Sequence, residues 1–165
     1  MEDLMFVTDR CVLRSFEEKD LDAVVEYRNN DEWMTYQGFK NLTKDEYRKA
    51  LLSPLDIENG IQLAIADKMT DALIGDVYLS KEEKTISIGY CVHPNYARHG
   101  YIIEVLKSLL IKLRSVYPDC EINAMTDKEN VASINLLLKL NFVYDQWIEE
   151  SASEVYVYSD VRAFE

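Results

Sequence analysis

The order of apolar and polar positions along the first half of the chain predicts strands alternating with helices. Strand-like runs occur near the N-terminus and again after residue 60: RCVLRSF, IQLAIAD, LIGDVYL and TISIGYCVH. Two capping boxes, Ser15-x-x-Glu18 and Thr43-x-x-Glu46, predict helix starts between the first strand and the second. The short polar links KMTDA and SKEEK join the last three strands, which favours an antiparallel meander.

The second half of the chain predicts two further helices and three further strands. A helix from about Gly100 to Val116 follows from the helical spacing of its apolar residues: Ile102, Val105, Leu106, Leu109, Leu110 and Leu113. EINAMT is strand-like, and Asn130 precedes a helix for which Asn141 is a candidate left-handed stop. FVYDQWI and EVYVYSDV predict two closing strands. The pattern predicts one α/β domain over residues 1–165, with about seven strands and about four helices.

Composition and charge narrow the class of protein. The 165 residues are 48% hydrophobic and 29% charged, which is typical of a soluble globular protein with one core. The net charge of −12 disfavours a nucleic-acid partner; it suits a cationic partner, or serves solubility alone. Part of the acidity is concentrated after Val143, at Asp145, Glu149, Glu150, Glu154, Asp160 and Glu165.

Targeting and metal-binding signals are not found in the sequence. No apolar run approaches the ~20 residues that span a bilayer. The N-terminus MEDLMFVTDR lacks the basic start and apolar core of a signal peptide. The three cysteines, Cys11, Cys91 and Cys120, have no metal-ligand spacing. We therefore expect a cytoplasmic protein with reduced cysteines, no metal site and no membrane partner.

The stretch PNYARHGYIIEV, residues 94–105, joins a predicted strand to a predicted helix through one glycine. The first N–H groups of a helix have no partner within it, and they carry the positive end of the helix dipole. Gly100 would let the backbone approach an anion, to which Arg98 and His99 would add charge. A single glycine before a helix is common, so these residues alone leave open a turn that is only structural.

Several motifs, in chain order, resemble those of one protein family. The strand SIGYCV is followed by Val92-His93-Pro94 and then by Ala97-Arg98-His99-Gly100-Tyr101-Ile102, in the place of a Q/R-x-x-G-x-G/A turn. TDRCVLRSFEEKDLDAV, LIGDVYLS and NVASINLLLKLNF are similar to other segments of that family, and the motifs together span residues 8–142. On these residues the chain resembles the GNAT superfamily of acyl-CoA N-acyltransferases. The similarity is greatest to the RimJ/RimL-like branch, which acetylates ribosomal-protein N-termini.

The resemblance implies a fold and a cofactor site. It implies a GNAT fold, of α/β (α+β) type, with a mixed, mostly antiparallel sheet whose fourth and fifth strands splay apart. Acetyl-CoA, the implied co-substrate, would enter between those strands. The implied cofactor-binding residues are Tyr90, Cys91, Val92, Arg98, His99, Gly100, Tyr101, Ile102, Ile103 and Asn130. Ala97 departs from the usual Gln or Arg, and Ile102 stands where relatives keep a small residue close to the cofactor.

The implied reaction sets requirements for the catalytic residues. Acyl transfer from a thioester to an amine needs a neutral amine, fixed donors for the oxyanion and a proton for the leaving thiolate. Leu137 replaces the tyrosine that many family members use as the acid, whereas Ser133 matches a serine of the branch. We expect Ser133 to donate the proton or to orient the thiol. The alternative is a first-turn serine that is bonded within its own helix. Asp76 and the C-terminal acids are weak candidates for the base, and His93 is a weak candidate for a proton relay.

The expected function is an N-acetyltransferase that transfers an acetyl group from acetyl-CoA to a primary amine by direct attack in a ternary complex. The acceptor is a protein N-terminus or a small amine, and Trp33, Tyr36 and Phe39 line its pocket or pack in the core. The alternative is a non-catalytic acyl-CoA-binding or interaction protein on a GNAT scaffold, motivated by Ile102 and the missing tyrosine. Dimers are common among relatives, so a homodimer is a further expectation.

Overall fold

Strands and helices alternate through the part of the chain that the structure, a computed structural model, describes: residues 4–54 and 56–159. Eight strands and four α-helices lie within these residues. They are β1 (Phe6–Val7), β2 (Cys11–Arg14), α1 (Leu21–Arg28), α2 (Lys44–Leu51), β3 (Ile61–Asp67), β4 (Leu73–Glu82), β5 (Thr85–Val92), α3 (Tyr101–Val116), β6 (Glu121–Thr126), α4 (Val131–Lys139), β7 (Phe142–Ile148) and β8 (Ser153–Tyr158). Short 3-10 helices cover Glu18–Asp20 and Pro94–Tyr96.

The predicted elements are found close to their expected bounds, with one additional strand. β1 was not predicted because its two residues are too short to show any period; it pairs antiparallel with β2, with Phe6 opposite Leu13. Asn141 ends α4 with φ 69°, which confirms the left-handed stop. The last strand ends at Tyr158, and Asp160, Val161 and Glu165 lie outside the described residues.

The two predicted capping boxes differ in outcome. At α2 the Thr43 hydroxyl accepts from the Glu46 N–H at 3.1 Å and the Glu46 carboxylate accepts from the Thr43 N–H at 3.0 Å, so this box is confirmed. The box predicted at Ser15 and Glu18 is wrong, because the chain instead uses Glu17 and Asp20. Arg14 donates to both oxygens of the buried Asp20 carboxylate, at 2.8 and 2.9 Å, and this ion pair holds Asp20, two residues after Glu18, at the start of the helical turn.

The sheet is mixed, with the strand order β1-β2-β3-β4-β5-β6-β8-β7. Neighbouring strands pair antiparallel except β5 and β6, which are parallel and joined by α3 as the crossover helix. Gly75 on β4 allows the close approach of β5, since a Cβ at this position would lie 2.2 Å from the Cys91 carbonyl oxygen. β5 is therefore the strand that pairs antiparallel with one neighbour, β4, and parallel with the other, β6. From the end of β5 the chain enters the turn that contains Gly100.

Two apolar clusters hold the helices to opposite faces of the sheet. The larger cluster packs α3 and Leu137 of α4 against alternate residues of the strands, among them Ile86 and Ile88. The smaller one packs α1 and α2 against the other face, where Ala64 and Cys91 lie. Among the described helices, none is long and apolar enough to cross a membrane.

β5 and β6 separate after four residue pairs. They pair from Thr85 opposite Glu121 to Ile88 opposite Ala124, and β6 then continues in pairing with β8 alone. β5 runs on to Val92 with only β4 beside it. The predicted splay of the fourth and fifth strands is confirmed; these are β5 and β6 once β1 is counted.

Candidate functional site

The separation of the two parallel strands leaves a gap between Gly89–Val92 of β5 and Met125–Thr126 of β6, called the gap below. The His93 N–H donates to the Ile74 carbonyl at 2.7 Å, so the backbone of His93 faces β4. Neighbouring residues of a strand point their backbone groups to opposite sides. The N–H and C=O groups of Tyr90 and Val92 therefore face the gap.

Side chains of the segment after α1 reach these two gap-facing carbonyls. The Trp33 indole N–H donates to the Val92 carbonyl at 2.7 Å, and the Gln37 amide donates to the Tyr90 carbonyl at 3.2 Å. From the same segment the Tyr36 hydroxyl donates at 3.4 Å to the carbonyl of Glu129, on the α4 side of the gap. Residues 33–37 thus bridge the two walls of the gap.

The turn at the end of β5 leads directly into the N-terminus of α3. Gly100 is the N-cap of α3 with φ 78°, and Arg98 also has a positive φ of 65°. A Cβ at position 100 would meet only the Arg10 guanidinium, at 3.5 Å, so the backbone angle rather than crowding requires the glycine. The first N–H groups of α3, from Tyr101 onward, have no partners within the helix. They lie at the carboxyl end of a parallel strand, where ligands commonly bind in open α/β sheets.

Arg10 holds this turn in place, although sequence reasoning gave it no role. From the β1–β2 connection, its Nε donates to the Glu104 carboxylate at 2.7 Å and its guanidinium donates to the His99 carbonyl at 2.9 Å. The guanidinium also lies 4.2 Å from the centroid of the Tyr101 ring. The only sequence signal was its place in the TDRCVLR segment. Arg10 therefore ties the turn to the first turn of α3.

The side chains of the turn are divided between solvent and core. Arg98 and His99 are exposed, and His99 Nδ1 lies 2.7 Å from the Ala97 carbonyl. Tyr101, Ile102 and Ile103 are half-buried and pack against the larger apolar cluster. Because Ile102 packs against the core, its bulk is at least partly directed away from the turn.

The first turn of α4, which follows β6 in the chain, extends the wall of the gap that Met125–Thr126 begin. Asn130 is its N-cap, and its Oδ1 accepts from the Ser133 N–H at 3.3 Å. The Ser133 hydroxyl lies 2.9 Å from the Tyr90 hydroxyl, so it bonds across the gap and not within its own helix. Burial raises the pKa of Tyr90 to about 12, although the Ser133 hydrogen bond acts in the opposite direction. Leu137 is fully buried and offers no polar group.

The model of the acetyltransferase (GNAT) domain matches residues 10–143, most of the chain. The chain belongs to the GNAT acetyltransferase family. It is therefore an acyl-transferring enzyme, and the predicted family is confirmed. A curated relative is YoaA of Bacillus subtilis strain 168, an uncharacterised N-acetyltransferase that is 29% identical over 142 residues, 82% of this chain and 80% of YoaA.

Solved structures of GNAT proteins share the fold. A GNAT-family acetyltransferase from Bacillus anthracis superposes with a TM-score of 0.79 at 22% identity, over 93% of this chain and 96% of that one. RimL, a ribosomal L7/L12 α-N-protein acetyltransferase solved in complex with coenzyme A, has a TM-score of 0.77 at 15% identity. That match covers 92% of this chain and 95% of RimL. Identities this low show the fold alone.

No contact of the β5 cysteine with the described residues of this GNAT protein would activate it as a nucleophile. Cys91 is buried in the α1/α2 cluster with its Sγ 3.7 Å from the sulfur of Met34. Burial, followed by the charge of Asp76, raises the pKa of its thiol to about 12. The thiol therefore stays protonated at neutral pH, whereas a nucleophilic cysteine reacts as the thiolate.

The contacts of Asp76 and His93 do not suit the proton-transfer roles for which the two residues were weak candidates. The Asp76 carboxylate is fully buried and accepts hydrogen bonds from Tyr27, from Arg28 and, at 2.9 Å, from Gln62. Both of its oxygens are thus occupied by an internal network. His93 is also buried; its Nδ1 accepts from the Asn95 N–H, and it lines a separate cavity of about 440 Å³ behind the β5–α3 connection. Neither side chain faces the gap.

A second cavity lies beside β5 on the α1/α2 face of the sheet. Its volume is about 400 Å³, and its lining includes Gln37, Phe39, Tyr78, Gly89 and Tyr90. The only charged side chain of its lining within the described residues is that of Arg28, which is paired with Asp76. Phe39 lines this cavity and also packs against the α1/α2 cluster, which confirms its packing in the core, whereas its role at an acceptor pocket stays a prediction. Trp33 and Tyr36 are largely exposed and lie at the gap instead.

Proposed function

We propose that this protein is an N-acetyltransferase of the RimJ/RimL-like branch that transfers an acetyl group from acetyl-CoA to a primary amine by direct attack in a ternary complex. The observation that carries the proposal is the gap itself, whose free strand edge continues into the glycine turn at the N-terminus of α3. The branch is supported by the ordered motifs of residues 8–142.

Residues on both sides of the turn fit the two chemically different parts of acetyl-CoA. The backbone groups of Tyr90 and Val92 face the gap and suit the amides of an extended pantetheine arm, which would lie beside β5 like an added strand. The first N–H groups of α3 and the Arg98 side chain suit the pyrophosphate. Binding at Val92 would compete with the hydrogen bond that Trp33 now donates to its carbonyl.

The chain's own groups account for the remaining requirements of the transfer. Acetyl-CoA supplies an activated acyl group as a thioester. A strand N–H of Tyr90 or Val92 would donate to the carbonyl oxygen as negative charge develops on it. Ser133, on the opposite wall, would donate to the departing sulfur. An N-terminal amine, with a pKa near ~7.8, is partly neutral at pH 7 and needs less help from a base than a lysine amine near ~10.4.

The cavity beside β5 is our candidate for the acceptor site. Aromatic and amide side chains line it, and the one charged residue of its described lining, Arg28, is already paired. We infer an acceptor whose neighbouring groups are uncharged, such as a peptide N-terminus or a small primary amine. Among the described residues of that lining, a polycation would find no carboxylate, despite the overall charge of −12.

Two measurements test the proposal. Calorimetric titration with acetyl-CoA should show saturable binding, and binding absent at millimolar cofactor would contradict the cofactor assignment. Thiol release from acetyl-CoA should then be followed with N-terminal peptides, free lysine, polyamines and aminoglycosides as acceptors. We expect turnover with N-terminal amines whose neighbouring groups are uncharged, or with small primary amines. A preference for polyamines would contradict the acceptor assignment. Gly100→Val, with the folded state checked by circular dichroism, is the matched binding-deficient control.

A further inference from the structure

The hydrogen bond between Tyr90 and Ser133 joins the two walls of the gap. Their hydroxyl oxygens are 2.9 Å apart, so that either can donate to the other, and the Tyr90 hydroxyl also lies 3.4 Å from the Ser133 carbonyl oxygen, a second and longer acceptor. The residues are 43 positions apart in sequence. Ser133 has its backbone N–H capped by Asn130, so its hydroxyl is not needed to cap α4. The side chain of Tyr90 lies on the α3/α4 face of β5, in line with Ile86 and Ile88.

The phenol of Tyr90 contacts a face of α4 on which the helix itself carries no tyrosine. Ser133 and Leu137 are one turn apart on that helix and share a face. Leu137 is fully buried and apolar. The phenol of Tyr90 therefore reaches the α4 face that carries Leu137, but it comes from the strand and contacts Ser133 directly.

We propose that Tyr90 is a positioning residue, which donates its phenolic hydrogen to Ser133 Oγ and thereby directs the Ser133 hydrogen toward the leaving sulfur. This inference rests on the proposed function. A serine hydroxyl can rotate freely about its C–O bond, and an accepted hydrogen bond restricts that rotation. Tyr90 is half-buried, and this burial raises the pKa of its hydroxyl to about 12, so the hydroxyl keeps its hydrogen at neutral pH.

The positioned hydroxyl acts on the bond that breaks. As the amine nitrogen forms its bond to the acyl carbon, the carbon–sulfur bond breaks and the sulfur leaves with the bonding electron pair. Ser133 hydrogen-bonds to the thiolate that departs, and the proton lost by the nitrogen passes to solvent. Neither Tyr90 nor Ser133 changes its protonation state overall, so the pair needs no co-reactant.

A double-mutant cycle on turnover tests the role of Tyr90. Tyr90→Phe keeps the ring and removes only the hydroxyl, so we expect kcat to fall about tenfold, the equivalent of one hydrogen bond. The dissociation constant for acetyl-CoA, measured by calorimetry, should not change. Ser133→Ala should lower kcat at least as much, and the double variant should be no slower than Ser133→Ala alone, because Tyr90 acts through Ser133. Tyr156→Phe is the matched control, since its hydroxyl bonds to Glu154 outside the gap.

The outcomes separate this inference from the function on which it rests. No turnover by the unaltered protein with any amine would overturn the proposed function, and this inference with it. The inference alone would be overturned if kcat is unchanged in Tyr90→Phe. It would also be overturned if the reductions of kcat in the two single variants multiply in the double variant. A fall in kcat with a matching loss of acetyl-CoA affinity would also overturn it, because Tyr90 would then act in binding. Ser133→Thr should keep most of the activity, since it retains the hydroxyl, and its loss would count against the pair.

Discussion

Replacing Arg28 by methionine should destabilise the protein strongly, because it removes the charged partner of a buried carboxylate. Arg28 and Asp76 are 2% and 1% exposed, and Arg28 also donates to the Phe39 carbonyl at 3.0 Å. Breaking a buried ion pair by removing one partner costs about 3–5 kcal/mol. The Tyr27 and Gln62 hydrogen bonds to Asp76 would remain but do not neutralise its charge. We expect Arg28→Met to lose an amount in that range.

The measurement is urea unfolding at pH 7 of Arg28→Met, Asp76→Asn and the double variant, with the slope m checked for constancy. The double variant should be less destabilised than the sum of the two single variants, because neither charge is then left unpaired. Arg28→Lys keeps the charge without the guanidinium fork and is the milder variant if Arg28→Met does not fold. A loss of under about 1 kcal/mol for Arg28→Met, or strict additivity, would refute the reasoning.

The same variants decide whether Asp76 acts as the base. A general base contributes about 10²–10⁴ to the rate. Since both Asp76 oxygens are occupied in the internal network, we expect folded Asp76→Asn to keep kcat within a few-fold of the unaltered protein. A hundredfold loss at a temperature where the variant is folded would contradict the structural role.

Three further changes test the turn. Gly100→Val should weaken acetyl-CoA binding about tenfold or more in calorimetry, because a φ of 78° strains a β-branched residue. Gly100→Asn should weaken it less, since asparagine tolerates that angle better. Equal affinities of the two variants for acetyl-CoA would show that this angle is not needed. Ile102→Ala should lower the free energy of unfolding by roughly 1–3 kcal/mol and leave the affinity for acetyl-CoA unchanged, since Ile102 packs on the core. Tighter binding of acetyl-CoA by this variant would show instead that the Ile102 side chain crowds the cofactor. Arg10→Met should lower the thermal midpoint at pH 7. Burial alone would raise the pKa of Glu104, but hydrogen bonds from Thr8 and Arg10 hold it below its ordinary value. The folded carboxylate therefore contributes stability above its ordinary pKa and loses it as the pH falls through the lowered value. The difference between Arg10→Met and the unaltered protein should become smaller in acid, where only the Arg10 contacts with the His99 carbonyl and the Tyr101 ring remain. A difference that is the same at all pH values would contradict the ion pair.

Local patterns by themselves determined most of the elements of this protein and their order. A helix or strand long enough to repeat its apolar spacing is specified by that spacing, so α3 and β6 were predicted almost to the residue. Gly100 and Asn141 were recognised because few residues tolerate a positive φ. β1 was missed because two residues contain no period. The first capping box was misplaced because the side chain of Arg14, six residues before Asp20, pairs with that carboxylate, and no capping pattern contains this contact.

The tertiary structure alone decided which side chains meet at the gap. Tyr90 and Ser133 are separate in the chain, as are Arg10 and His99, and no spacing rule connects residues on a strand edge with a helix start many residues away. Burial was also undecided by the sequence: Asp76 has the residue type of a base, but the surrounding Tyr27, Arg28 and Gln62 make it part of the core. Hydrogen bonds and desolvation depend on distances of a few ångströms between elements. Such distances are fixed only when the sheet brings those elements together, and at the gap this is done by its one parallel strand pair among the described residues.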